Sequence, residues 1–251
     1  MAEVLRPPTP PGGWGGPWRD VAELAAAVPA SSWTLIGGLM VQLHAVAADL
    51  PVVRPTNDVD VLLHVETGRG RVAEVARALE RLHYELRPSI DPRAGTAHRF
   101  VRGDAVVDLV SSVVDVVAAD HAPPKALERF RGYDLVQVPG GTQALRRTVL
   151  AELEITASMR TTISVPDAFG ALILKAAAHK TDTRDRDRHL SDAAVLLACV
   201  DPFQERAASG SDRSRLLHLR EHLGDPTSPA WLALPDDARR NGQAALDLLC
   251  A

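Results

Sequence analysis

Two aspartates, separated by a single residue, could together bind a metal ion. Asp58 and Asp60 head the apolar run from Val59 to Leu63. If this run is a β-strand, its side chains alternate, and both carboxylates lie on one face. Two carboxylates this close repel each other, and strands disfavour aspartate, unless a cation lies between them. The alternative is that Asn57 and Asp58 cap a turn, but a turn does not account for Asp60.

A third carboxylate, Asp108, lies on another predicted strand. Gly103-Asp104 is a hairpin signal between the predicted strands His98–Arg102 and Ala105–Val110. Asp108 shares a face of the second strand with two valines. Three carboxylates from two adjacent strands could hold two Mg²⁺ ions, which take oxygen ligands and bridge to substrate phosphates. Two such ions can stabilise the attacking and leaving oxygens of a phosphoryl displacement.

Two further features are typical of phosphate binding. Gly37-Gly38 stands between a predicted strand and a predicted helix, where backbone amides and the helix dipole favour an anion. The chain has only three lysines, and Lys175 lies in an alanine-rich helix, where its point charge could meet a phosphate oxygen. Lys180 is the weaker candidate, and a solvated helix face is the usual place for either lysine. His179 could be a phosphate ligand, but we interpret it as an ordinary helix-surface histidine.

The segment Thr183–His189 is dense in charges of both signs. One interpretation is a solvated loop that ends in a helix start, with an aspartate as the N-cap. The other is that Arg186 and a neighbouring arginine meet phosphates, while Asp187 or Asp192 orients a lysine or a nucleophile. The residues alone leave both interpretations open.

The elements that must position these residues form a mixed α/β half followed by a helical half. We predict an α+β fold in which helices flank a mixed sheet, because long helices between strands favour helix-covered sheets. We expect three parts: a flexible Pro/Gly-rich arm over residues 1–19, an α/β domain over 20–165 and a helical domain over 166–251. The segment Ser111–Ala119 is apolar but ambiguous. The predicted strands are 33–36, 58–63, 84–87, 98–102, 105–110, 136–138, 152–155 and 161–165. The predicted helices are 20–27, 38–50, 71–83, 168–180, 187–200, 213–223 and 236–249.

The composition is that of an ordinary globular protein. The 251 residues are 46% hydrophobic and 24% charged, and the formal charge of −4 gives no overall attraction to nucleic acid. The two cysteines have no metal-type spacing, and the chain lacks an apolar run of membrane-spanning length or a signal-peptide pattern. We therefore expect a protein of the reducing cytoplasm that makes no membrane contact.

The acidic and glycine motifs together resemble a known signature. Gly37-Gly38, the segment 56–60 with its two aspartates, and the later Asp108 resemble the nucleotidyltransferase superfamily with a polymerase-beta-like fold. The downstream part resembles the AbiEii-type branch, which includes toxin components of two-gene toxin–antitoxin systems. That second likeness is carried by Val165-Pro166, by the helix Ala171–Ala178 with its lysine, and by the segment Arg186–Asp192.

The resemblance implies an activity and a set of roles. Relatives transfer a nucleotide from a nucleoside triphosphate, with Mg²⁺, to a hydroxyl, and some modify the 3′ end of tRNA and so block translation. The implied partners are a nucleoside triphosphate such as ATP, an RNA acceptor and a cognate antitoxin. The implied roles are metal binding for Asp58, Asp60 and Asp108, phosphate binding for Gly37, Gly38, Lys175, Lys180 and Arg186, and further acidic positions at Asp187 and Asp192.

Two other functions stay open at this stage. One is transfer to a small molecule, such as an aminoglycoside, or to a protein side chain; the acidic pI of about 6.1 favours a cationic substrate. A basic patch would favour RNA instead. Its candidate members are Arg184, Arg186, Arg188, Arg213, Arg215 and Arg220. The second is a catalytically inactive protein that binds a nucleotide or a partner.

Overall fold

The structure is a computed structural model that describes residues 4–51, 54–65, 71–88, 95–103, 112–119, 131–205 and 208–251. For residues 71 and 112–115 it describes the backbone alone. The fold is mixed α+β, as predicted. Within the described ranges, no helix combines the length and the apolar character that crossing a membrane requires.

The strands and helices of the described residues are numbered here in chain order. The strands are β1 (Val4–Leu5), β2 (Trp33–Ile36), β3 (Asp58–Leu63), β4 (Glu85–Pro88), β5 (Ala97–Arg102), β6 (Ser112–Ala119), β7 (Gln137–Val138), β8 (Thr148–Thr156) and β9 (Met159–Pro166). The helices are α1 (Gly16–Ala27), α2 (Gly37–Ala47), α3 (Arg71–Arg81), α4 (Gly141–Leu145), α5 (Ala168–Thr181), α6 (Asp187–Cys199), α7 (Gly210–Leu223), α8 (Pro229–Leu232) and α9 (Asp236–Cys250).

The larger sheet has the strand order β2-β3-β6-β5-β4, and β7 pairs with the end of β6. β3 is an inner strand, antiparallel to β2 and parallel to β6. Its side chains alternate as predicted: Val59 and Val61 are fully buried, whereas Asp58 and Asp60 are half-buried. An inner strand thus carries two carboxylates on one face.

The smaller sheet, β1-β8-β9, lies against the larger one. The hydroxyl groups of Thr34 on β2 and Ser164 on β9 are 2.8 Å apart and hydrogen-bonded, and both residues are buried. The helices α5 and α6 follow β9 and pack against each other and against α2. One cluster of buried apolar side chains includes residues from before and after residue 165.

Several elements differ from the expectation. The N-terminal segment is not separate from the fold, because β1 pairs with β8, Trp14 and Trp18 are buried, and α1 begins already at Gly16. Pro and Gly suggested a loose arm, but burial of two large indoles outweighs the lack of regular structure. β5 pairs with β4 on one side and with β6, the segment whose nature was ambiguous, on the other. The predicted strand 105–110, with Asp108, lies outside the described residues.

Candidate functional site

The two aspartates of β3 line a cavity of about 260 Å³. The cavity lies between the larger sheet, the start of α2 and the facing helices α5 and α6. Its charged lining consists of Arg54, Asp58, Asp60, Arg99, Lys175 and Arg188. Carboxylates and cations therefore face one shared cavity, which can hold a cation and an anion together.

The glycine pair fits closely against this acidic strand. Gly37 opens α2 with φ of +72°, a backbone conformation that costs other residues free energy. A Cβ atom there would overlap the carboxylate of Asp60. A Cβ atom on Gly38 would lie 2.9 Å from the Cβ atom of Thr56. Because glycine has no side chain at either position, the N-terminus of α2 can approach the acidic pair.

A buried ionic cluster includes two residues of the cavity lining, Lys175 and Arg54. Lys175 Nζ of α5 lies 2.7 Å from Asp192 Oδ2 of α6, and these side chains are only 7% and 5% exposed. Arg54 Nη2 donates to the same carboxylate at 3.2 Å. Burial alone would raise the pKa of Asp192, but the charges of Lys175 and Arg54 outweigh it and hold that pKa below its usual value. One carboxylate between two cations leaves a positive excess beside the cavity, which favours an anionic ligand.

A hydrogen bond to its backbone carbonyl group fixes the position of Arg54. Gln42 of α2 donates its side-chain amide to the carbonyl oxygen of Arg54 at 3.1 Å, and accepts from the indole of Trp18 at 3.3 Å. The Nε atom of Arg54 is buried and has no hydrogen-bond partner among the described residues. A buried donor without a partner is costly, so it is a position where a ligand oxygen would be stabilising.

His189 of α6 also lines the cavity and is buried. Its Nε2–H donates to Asp182 Oδ2 at 3.0 Å. Burial lowers the pKa of His189, and this outweighs the opposing effect of the Asp182 hydrogen bond. A neutral ring with its proton on Nε2 leaves a lone pair on Nδ1, which has no partner among the described residues.

Three of the residues suggested for chemistry lie away from the cavity lining. Asp187 is exposed at the first position of α6, and Lys180 is exposed near the end of α5. Arg186 donates its Nε–H to His179 Nε2 at 3.3 Å. The mixed-charge segment is thus a helix start, in which Arg188 pairs with Asp182 and also lines the cavity. The roles in catalysis and phosphate binding assigned to the first three residues stay predictions.

Sequence reasoning missed Asp115 of β6. This residue is the register partner of Asp60 on the adjacent parallel strand. The signal was present, since Asp115 lies between two valine pairs just as Asp60 lies between valines. Valine pairs on both sides of Asp115 leave no alternation of apolar and polar residues, so the pattern did not mark this segment as a strand. Arg54 and Arg99 were missed too, because arginines are too common to stand out.

The donor set of the cavity fits Mg²⁺ and phosphate. Asp58 and Asp60 offer carboxylate oxygens on one strand face, the ligand type that a hard divalent cation prefers. The N-terminus of α2 and the side chains of Lys175 and Arg54 offer the hydrogen-bond donors that phosphate oxygens require. No protein-family model matches this chain, and no curated protein matches it significantly. Any functional conclusion therefore depends on this cavity and its chemistry.

Proposed function

We propose that the protein is a Mg²⁺-dependent nucleotidyltransferase. The observation that carries the proposal is the shared cavity, in which Asp58 and Asp60 face the cationic cluster of Lys175 and Arg54. Phosphoryl transfer needs little covalent chemistry from a protein, but it needs positioning and compensation of negative charge. An acidic pair beside an excess of positive charge suits a metal-bound nucleoside triphosphate.

Each residue has a role in this reaction. Asp58 and Asp60 would hold the metal ion, which neutralises phosphate charge and orients the substrate. The amides at Gly37-Gly38 bind phosphate oxygens at the N-terminus of α2. Lys175, held by Asp192, neutralises the triphosphate as pyrophosphate leaves. The orientation of Lys175 is fixed by its ion pair, so little ordering remains when substrate binds.

The topology supports the finer fold assignment that we propose, the polymerase-beta-like sheet. The helix α2 connects the antiparallel strands β2 and β3, and the glycine pair opens that helix directly after β2. β6 then lies parallel to β3, with Asp115 in register with Asp60. In this arrangement Asp115 takes the place that the sequence interpretation gave to Asp108, as the third acid.

The acceptor that we propose is an RNA 3′ end, as in the toxins that the motifs resemble. The basic groups that support an RNA strand here are those of the cavity, Arg99 and Arg188. Burial raises the pKa of the Cys250 thiol, and the charges of Arg213 and Arg220 oppose this effect. Both arginines lie on the opposite face of α7 from His218 and His222. The six arginines considered from the sequence therefore do not form one continuous patch.

Label transfer tests the proposal. Purified protein is mixed with Mg²⁺, each α-labelled nucleoside triphosphate in turn, and total bacterial RNA. We expect labelled RNA of tRNA size, and a loss of at least about 100-fold in Asp60→Asn. Asp49→Asn is the matched control, because Asp49 is an exposed acid after α2 whose positive φ an asparagine tolerates.

The outcomes separate the alternatives. Label on a protein or on an aminoglycoside, with none on RNA, would keep the transferase and replace the acceptor. Equal labelling by wild type and Asp60→Asn would reject the metal site. Asp115→Asn and Asp108→Asn tested side by side decide the third acid: we expect activity to be lost in the first and kept in the second.

A further inference from the structure

We propose that the protein has a transition-metal site, suited to Zn²⁺, formed by His179, His218 and His222. It is separate from the proposed nucleotidyltransferase cavity and does not depend on it. His179 lies near the end of α5, and the other two lie four residues apart on α7. Each ring offers a nitrogen atom, and these three nitrogen atoms lie within 4.8 Å of one another.

The spacing of the rings suits tetrahedral zinc. His179 Nδ1 and His218 Nε2 are 2.8 Å apart, and the ring centroids lie 4.5 to 5.0 Å from one another. Zinc–nitrogen bonds of about 2.0–2.1 Å at tetrahedral angles place nitrogen ligands about 3.4 Å apart. That value lies within the observed range, so small rotations of the rings bring all three onto one ion. Because His218 and His222 are half-buried, water can reach the fourth position.

The hydrogen bonds of His222 prepare it as a ligand. Its Nδ1–H donates to the backbone carbonyl oxygen of His218 at 2.9 Å. A neutral imidazole with its proton on Nδ1 keeps a lone pair on Nε2. A histidine ligand whose other ring nitrogen donates to a carbonyl is the usual arrangement at protein metal sites.

The arrangement at His179 must change when a metal binds. Arg186 donates to Nε2 of His179, so the proton of the neutral ring is on Nδ1, where it bridges to His218. Metal binding through Nδ1 moves that proton to Nε2. The Nε2–H group then faces the Nε–H group of Arg186, so that two donors meet without an acceptor. The arginine side chain has to turn away, and it is exposed and able to do so. Arg186 therefore opposes metal binding, both by its charge and by this contact.

Cobalt titration of the 251-residue chain tests the site. The background variant is Asp60→Asn, with Mg²⁺ in excess, so that the acidic pair does not compete for Co²⁺. We expect the visible absorption bands of tetrahedral Co²⁺, which Zn²⁺ removes by displacement. His222→Ala is expected to lower the Co²⁺ affinity at least about 100-fold, because loss of a ligand costs at least as much as loss of a supporting residue. His83→Asn, an exposed histidine at positive φ, is the matched control and is expected to bind as before.

A second variant keeps the test independent of folding losses. His222→Cys retains a ligand and is expected to bind Co²⁺ with an added thiolate-to-cobalt charge-transfer band. Arg186→Ala is expected to bind several-fold more tightly. The proposal is overturned if the Asp60→Asn background protein gives no tetrahedral spectrum, if adding His222→Ala leaves its Co²⁺ binding unchanged, or if the cysteine variant lacks the thiolate band. Nucleotide transfer can fail without affecting any of these spectra.

Discussion

Two neighbouring turns of one helix satisfy buried polar groups in opposite ways. Lys175 and His179 lie one turn apart on α5, and both are almost fully buried. Lys175 meets the full charge of Asp192, together with Arg54. His179 instead meets two other imidazoles and, at its Nε2, the side chain of Arg186, which is exposed. A charged cluster depends on every partner because each unpaired ion is costly, whereas a cluster of neutral rings can lose one hydrogen bond at small cost.

The largest expected effect is that of Asp192→Asn on stability. The variant leaves two cations without their carboxylate, one of them buried, and should lower the free energy of unfolding by about 3–5 kcal/mol. Urea unfolding monitored by circular dichroism measures it. Asp187→Asn on the same helix is the control, because Asp187 is exposed and contributes about 0.3–1 kcal/mol through the helix dipole. Equal losses of unfolding free energy in the two variants would contradict the prediction that the Asp192 carboxylate stabilises two cations.

Lys175→Met should lower stability less than Asp192→Asn does. Asp192 keeps Arg54 as its partner, and the methionine retains most of the buried stem. Its effect on activity should be larger, at least about 100-fold in kcat, since the lysine charge is proposed to act on the triphosphate. Unfolding and label transfer on the same preparation compare the two. A variant that unfolds readily but still transfers nucleotide would reduce Lys175 to a structural role.

The Asp192 cluster and the histidine cluster should also respond to different ranges of pH. Burial, then the charge of Arg186 and the two neighbouring histidines, lower the pKa of His179 to about 4, against an opposing effect of Asp187. The unfolded ring titrates near 6.5, so its stabilising contribution is complete above pH 6.5 and is lost as the pH falls towards 4. The contribution of Asp192, whose pKa is also lowered, persists to more acid pH and is lost only below the ordinary carboxyl range.

Unfolding curves of metal-free protein, measured in chelator from pH 8 to pH 3, check this difference. His179→Gln should flatten the curve between pH 6.5 and 4, and Asp192→Asn should flatten it only below that range. A wild-type curve that His179→Gln leaves unchanged would show that the histidine cluster does not respond to acid as expected.

The smallest expected effect is that of His222→Gln on the stability of metal-free protein. The variant removes one half-buried hydrogen bond to a backbone carbonyl, which is worth about 1 kcal/mol. The same unfolding assay applies. If His222→Gln lowered the free energy of unfolding as much as Asp192→Asn does, the histidine cluster and the Asp192 cluster would not differ as proposed.

The sequence predicted local structure well where one face of an element is buried. The strands 33–36 and 58–63 are confirmed, and so is the placing of Asp58 and Asp60 on one face. Alternation determines such a strand without knowledge of its neighbours. The glycine pair was likewise predicted to open a helix, and it does so at Gly37.

The partners of the site could not be predicted, because they are distant in the chain. Arg54 and Asp192 are 138 residues apart, and only the packing of α6 against α2 brings them together. β6 carries no alternation, so Asp115 was not recognised. The i, i+4 pair His218 and His222 is visible in the sequence, but its third member lies on another helix. In each case the missing information is a tertiary contact.

The glycine pair has a consequence for how this chain can vary. Position 37 is constrained twice, by its positive φ and by the Asp60 carboxylate, so a library randomised there should return glycine under any selection for the fold. Position 38 is constrained only by Thr56. Alanine at 38 should therefore be recovered together with a smaller residue at 56, as a correlated double substitution. Of these two adjacent glycines, the first should tolerate no substitution, whereas the second should be replaceable when residue 56 changes with it.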